Sequence, residues 1–223
     1  LAKASPAEVI TAWGRLGYPR RALRLHAAAQ IIAEDFDNQV PEDPAILQTL
    51  PGIGEYTAAA IAAFAFEKQT LVMDVNIRRL LTRVIDGNEH PKPAPTVKEK
   101  ASRLALQPAK NAHIWAAATM ELGALVCTSK NPICEQCPVI GQCNWRKNGY
   151  PKTDLVRKSQ DWHGTDRKCR GTIVQALREN ESLTENAIKK LWPDESQVEK
   201  ALKTLQADLL IEAIPRKRYR LPA

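Results

Sequence analysis

Apolar residues recur at helical spacing from the start of the chain: Val9, Ile10, Trp13 and Leu16, then Leu23, Leu25, Ala28, Ile31 and Ile32. Spacings of three and four put one apolar stripe on one side of a helix, so residues 6–33 are predicted as two helices, parted near Gly17 by Gly14, Gly17 and Pro19. After a polar loop at 37–44 the pattern predicts a short helix at 45–49, a turn at Pro51-Gly52-Ile53-Gly54, and a helix over 55–66. Another helix is predicted over 75–85. Asp74 stands as its N-cap, where a short acceptor side chain satisfies free first-turn N–H groups. The proline-rich stretch 90–95 is a loop, followed by helices at 96–106 and 113–126. Nothing in the first 145 residues alternates as a half-buried strand does, so this part is predicted all-α.

From 148 to 164 the composition shifts to Lys, Asp and Ser with few aliphatic residues, which marks a linker. Beyond it the pattern predicts helices at 166–179, 184–191 and 195–208, then strands at 209–213 and 218–221. Three helices and a small hairpin make a winged-helix pattern. The expected organisation is therefore a mainly α chain, with one domain at 1–147, a linker at 148–164 and a winged-helix-like domain at 165–223.

With 223 residues, 44% of them hydrophobic, the chain can bury one sizeable core or two small ones. No run of eighteen apolar residues occurs, so neither a membrane span nor a membrane partner is expected. The opening Leu1-Ala2-Lys3 has no initiator Met and no secretion pattern, which points to an intracellular protein met as a fragment. A net charge of +7 favours a polyanionic partner such as nucleic acid.

The cysteines carry more. Cys127, Cys134, Cys137 and Cys143 follow one another with six, two and five residues between them, close enough in sequence for four thiolates to surround one soft metal centre. Zinc and an iron–sulfur cluster both satisfy that spacing, and such clustering in an intracellular-looking chain disfavours a disulfide framework. Cys169 stands apart, and a half-buried structural thiol is expected there.

Three features stand in order: the Leu50-Pro51-Gly52-Ile53-Gly54 turn, Asp74 in Met73-Asp74-Val75-Asn76, and the cysteine loop after Glu121-Leu122-Gly123. Together they resemble the helix-hairpin-helix DNA glycosylases with an iron–sulfur cluster loop, and within them the adenine DNA glycosylase (MutY-type) branch, over residues 1 to about 146. The resemblance implies a 4Fe-4S cluster on Cys127, Cys134, Cys137 and Cys143, and a Cys127–Cys134 loop that brings Lys130 toward a DNA backbone. It further implies a monomer in the cytoplasm at the nucleoid, acting on double-stranded DNA with a mispaired or lesion-opposed base. Leu50, Gly52, Ile53 and Gly54 would grip that backbone through N–H groups at a helix N-terminus, and glycines keep no side chain in the way. The segment from Trp13 to His26 resembles the same branch, with Arg20, and beside it Arg21 and Arg24, the candidate phosphate contacts or else a solvated face.

The residue two after Gly54 is Tyr56. The endonuclease III branch has a lysine there and also cuts the strand. A tyrosine forms no Schiff base, so the resemblance implies a monofunctional enzyme that uses water. Asp74 matches the branch's essential aspartate, which stabilises positive charge developing on the sugar. The branch's proton-donating glutamate would lie before Leu1, and Glu8, Glu34 and Glu121 do not match its motif. Ala117 departs from the branch's Gln or Glu ten residues before the first cluster cysteine. The expected function is removal of adenine opposite guanine or 8-oxoguanine. A mismatch thymine glycosylase and a non-catalytic, cluster-stabilised DNA-binding module are the rival readings.

Overall fold

A computed structural model of the chain describes residues 1–153 and 164–223, so residues 154–163 of the expected linker lie outside the described residues. Helix α1 (Pro6–Trp13) begins with a capping box, in which Ser5 Oγ accepts from Glu8 N at 3.3 Å and Glu8 Oε2 accepts from Ser5 N at 2.7 Å. Helix α2 (Arg20–Asp35) follows the Gly14–Gly17 break. Asp43 caps the short α3 (Pro44–Leu47), and Gly54 is the N-cap of α4 (Glu55–Phe66). Helix α5 (Val75–Leu81) widens into a π-helical turn, Thr82–Asp86, where the sequence predicts one uninterrupted helix. Then come α6 (Val97–Ala105), α7 (Ala112–Leu125), two 3-10 turns in the cysteine loop, and α8 (Asn144–Lys147).

The C-terminal part holds α9 (Asp166–Glu179), β1 (Leu183–Thr184), α10 (Glu185–Lys189), α11 (Glu195–Ala207), β2 (Glu212–Ile214) and β3 (Arg218–Arg220). The sheet order is β1-β3-β2, all antiparallel, with Thr184 opposite Arg218 and Ala213 opposite Tyr219. The first strand escapes the sequence pattern because two residues are too few to show alternation. Among the described residues no helix is long and apolar enough to cross a membrane.

Contacts divide the chain into two compact units. One comprises Pro41–Thr49 and Ile53–Arg157. Its buried cluster of Ala63, Val72, Ile77, Leu81 and Ala116, backed by Ala60, Trp115 and Met120, sets small alanines against larger aliphatic side chains. Helix α7 comes close to α5 at Gly123, where an added Cβ would stand 2.6 Å from the Asn76 carbonyl oxygen. Alanine normally stabilises a helix interior over glycine by up to ~1 kcal/mol. Here Gly123→Ala is expected instead to destabilise by about 1–3 kcal/mol, because backbone cannot yield as a side-chain tip does. Urea unfolding of the variant checks the sign.

The other unit comprises Leu1–Val40, Leu50–Gly52 and Lys158–Ala223. Ile10 of α1 is fully buried in the same cluster as Ile173, Val174 and Leu177 of α9 and Val198, Leu202 and Leu205 of α11. Arg178 donates through Nε to the Ile10 carbonyl at 3.0 Å, and Asp208 receives both Arg20, at 3.3 Å, and Arg170. The Arg167 guanidinium lies 4.1 Å from the Tyr18 ring centroid. Composition does not register this grouping, since the apolar stripes of α1 and α2 look alike whichever element they cover. Cys169 is fully buried in this core, deeper than expected, and burial pushes its thiol up to about 11.

Candidate functional site

Asp74 sits half-buried at the N-terminus of α5, where Oδ1 accepts from Ile77 N at 2.6 Å and Oδ2 accepts from Asn76 Nδ2 at 2.9 Å. The cap is therefore real, and it fixes the carboxylate by both oxygens. Tyr56, in the first turn of α4, is near enough for the Asp74 charge to act on it: burial, and then that charge, push its phenol above the usual range. The hydroxyl stays protonated at neutral pH, so it is available as a hydrogen-bond donor and not as a phenolate nucleophile. Its ring is 45% exposed, so the pair faces accessible space.

Behind Asp74 runs a polar chain that sequence reasoning missed. Asn76 Oδ1 accepts from Arg79 Nη2 at 2.9 Å, and Arg79 also donates to the Gly123 carbonyl at 2.5 Å and, through Nε, to the Cys127 carbonyl at 2.8 Å. One turn later Arg83, 1% exposed, donates to the carbonyls of Glu89 and Thr128 at 3.0 and 2.8 Å, with Nη1 3.4 Å from Cys127 Sγ.

The cysteine loop is organised from these arginines. Cys127, Cys134, Cys137 and Cys143 line a single cavity, walled by Leu80, Val126, Ile140 and Trp145 with Arg83 and Arg146 at its margin. Trp145 carries the Arg83 guanidinium 4.5 Å from its ring centroid and meets Tyr150 edge to face at 4.9 Å. Burial raises the Cys134 and Cys137 thiols, and a hydrogen bond with Tyr150 opposes the rise at Cys134. All five cysteines are free thiols. Among the described residues no three His, Cys, Asp or Glu side chains converge closely enough to grip a single metal ion. Lys130 is exposed on the Cys127–Cys134 loop, whose shape is set by Thr128 Oγ1 donating to the Lys130 carbonyl at 2.7 Å.

The glycine turn divides between the two units. Leu50 is buried, and Gly52 has φ +80 with its Cα against Arg24 of α2, whose Cβ would be 2.8 Å from an added Cβ. Only glycine satisfies both constraints. Ile53 is half-buried, whereas Gly54 has ordinary backbone and open space where a Cβ would be. No side chain caps α4, so the N–H groups of its first turn are left for an anion. Arg20 is paired with Asp208 but keeps a side chain 56% exposed. Glu8 is committed to the capping box, whose hydrogen bonds hold its carboxyl below the usual range, which disqualifies it as a proton donor.

Residues 1–105 match the family described as HhH-GPD superfamily base excision DNA repair protein. The chain is 43% identical over 222 residues to the adenine DNA glycosylase of Mycolicibacterium smegmatis, covering 99% of this chain and 75% of that one. It is 42% identical over 151 residues to the adenine DNA glycosylase of Homo sapiens, covering 66% and 27%. Among solved structures, a thermostable thymine-DNA glycosylase superposes with TM-score 0.60 at 24% identity, covering 66% of this chain and 68% of that one. A non-covalent endonuclease III–DNA complex gives 0.57 at 21%, covering 67% and 70%. These two likenesses establish the fold, and the sequence identities establish the branch. The chain belongs to the adenine DNA glycosylases (MutY type) of the HhH-GPD superfamily of base excision DNA repair proteins.

Proposed function

We propose that this glycosylase works as a monomer on double-stranded DNA at the nucleoid and hydrolyses the N-glycosidic bond of adenine paired with guanine or 8-oxoguanine. The observation that carries the reading is the Asp74 carboxylate held by both oxygens beside Tyr56, with no amine at that position. As the bond from C1′ to the base breaks, its electron pair leaves with the base and positive charge builds on the sugar. Asp74 stabilises that charge and orients the water whose oxygen bonds to C1′. The leaving base takes up one proton and the attacking water gives up one, so that H and OH are added across the C1′–base bond. Tyr56 steadies the sugar by hydrogen bonding and forms no covalent link, so the strand is left uncut with an abasic site. The target base must be extruded from the duplex to reach this carboxylate.

The backbone is held at the N-terminus of α4 and by Lys130, contacts that carry no sequence information. Leu50, Gly52 and Ile53 set the turn, and Arg20 is a further candidate phosphate contact. Two glycine substitutions separate the roles. Gly52→Ala is expected to cost about 1–3 kcal/mol of stability, from positive φ and the clash with Arg24. Gly54→Ala is expected to cost only about 0.5–1 kcal/mol, the loss of a tolerated N-cap, and to weaken duplex binding, since its Cβ occupies the space a phosphate needs. Thermal unfolding and duplex titration of the two variants check the contrast.

The residues fit a thiolate-bound cluster: four cysteines share one apolar-walled cavity, with Arg83 and Arg146 to offset thiolate charge. Cys127, Cys134, Cys137 and Cys143 would hold a 4Fe-4S cluster, whose bonds would tie together the loop that carries Lys130.

The test is the identity of the released base. The full-length protein is incubated with duplexes pairing A with 8-oxoguanine, A with G, and T with G, and free base is identified by chromatography. Free adenine from the first two supports the reading. Free thymine, or duplex binding with no base released, overturns it.

A further inference from the structure

Several cations of the C-terminal part are held in pairs, whereas Lys190 and Lys203 are exposed singly among the described residues. Lys189 reaches Glu195 at 3.1 Å and Glu199 at 3.2 Å, Lys200 reaches Asp166 at 2.6 Å, and Arg220 reaches Glu212 at 2.5 Å. Arg218 is spent on Ser182, and Arg170 on Asp208. The exposed side of α11 interleaves Glu195 and Glu199 with Lys200 and Lys203, so it presents mixed charge to any polyanion.

The turn between β2 and β3 is different. Arg216 and Lys217 are exposed, and among the described residues neither side chain has an ion pair or hydrogen bond. Both have left-handed backbone, φ +66 and +52. Two consecutive left-handed positions in a hairpin turn favour Asn-Gly, whose backbones tolerate that conformation, and disfavour long side chains. The turn is nevertheless pinned, because the Lys217 carbonyl accepts from Glu185 N at 2.9 Å. Strain held at an exposed, doubly cationic tip points to a function for the charges rather than for the fold.

We propose that the Arg216–Lys217 wing tip is a second contact to the phosphate backbone of duplex DNA, outside the target base pair. The occupant follows from charge: two unpaired cations on a chain of net charge +7 complement a polyanion. The proposal rests on the reading that the protein acts on DNA.

The test substitutes the tip with residues that suit its backbone, Arg216→Asn with Lys217→Gly, in the full-length protein. Binding to an undamaged fluorescent duplex is measured over a series of salt concentrations. Each phosphate contact contributes about 0.9 to the slope of log affinity against log salt. The variant is expected to have a slope shallower by about 2 and several-fold weaker binding at low salt, with an unfolding midpoint equal to or above the parent's. Charge reversal, Arg216→Glu with Lys217→Glu, is expected to weaken binding further. Parental slope and affinity in both variants would overturn the proposal. Absence of salt-dependent binding by the unsubstituted protein would overturn the DNA reading itself, and the wing contact with it.

Discussion

Asp74→Asn is expected to slow base release by about a thousandfold while leaving the fold nearly intact. Asparagine caps helices as well as aspartate does, so its oxygen can still accept from Ile77 N, the bond that starts α5. On the other side its new Nδ2 faces the Nδ2 of Asn76, which cannot turn round because Arg79 holds Asn76 Oδ1 at 2.9 Å. One hydrogen bond is lost there, worth about 1 kcal/mol. What disappears entirely is the negative charge beside the sugar. Removing one preorganised stabiliser of transition-state charge costs about 10²–10³ in rate, and a full charge belongs at the upper end. Single-turnover kinetics, with a thermal melt of the same sample, separates chemistry from stability.

Arg83→Ala is expected to be the most damaging change to stability, about 3–5 kcal/mol. The guanidinium is buried, and its removal strands the carbonyls of Glu89 and Thr128 and takes the cation from the Trp145 ring. The same side chain lies against Cys127 Sγ, so the loop loses its anchor at the first cysteine. Iron bound per chain is expected to fall together with the unfolding midpoint. Iron content by metal analysis and denaturant unfolding measure the two losses.

The elements that sequence made legible are those with strong local signals. Asp74 reads as an N-cap and is one, because capping is decided within four residues. The glycine turn and the cysteine spacing were legible for the same reason. Long-range partners were not. That Ile10 is buried against α9 and α11 depends on residues more than 150 positions away, and no local periodicity encodes it. Arg79 and Arg83 were silent because a charged residue on a helix reads as surface unless its carbonyl partners, here from Cys127 and Thr128, are already known. The π-helical turn at Thr82–Asp86 likewise adds one residue to a helix whose apolar pattern continues through it.

In the proposed mechanism Asp74 supports hydrolysis of the adenine–sugar bond with water, not an enzyme amine, as nucleophile. It is tested most directly by single-turnover reaction of the full-length protein with an A:8-oxoguanine duplex, reading free adenine and strand integrity together. The expected result is adenine release at the same rate as abasic-site formation, an uncut strand, no protein–DNA adduct trapped by borohydride, and release slowed about a thousandfold in Asp74→Asn. Adenine released at the parental rate by Asp74→Asn, or a borohydride-trapped adduct, would contradict it.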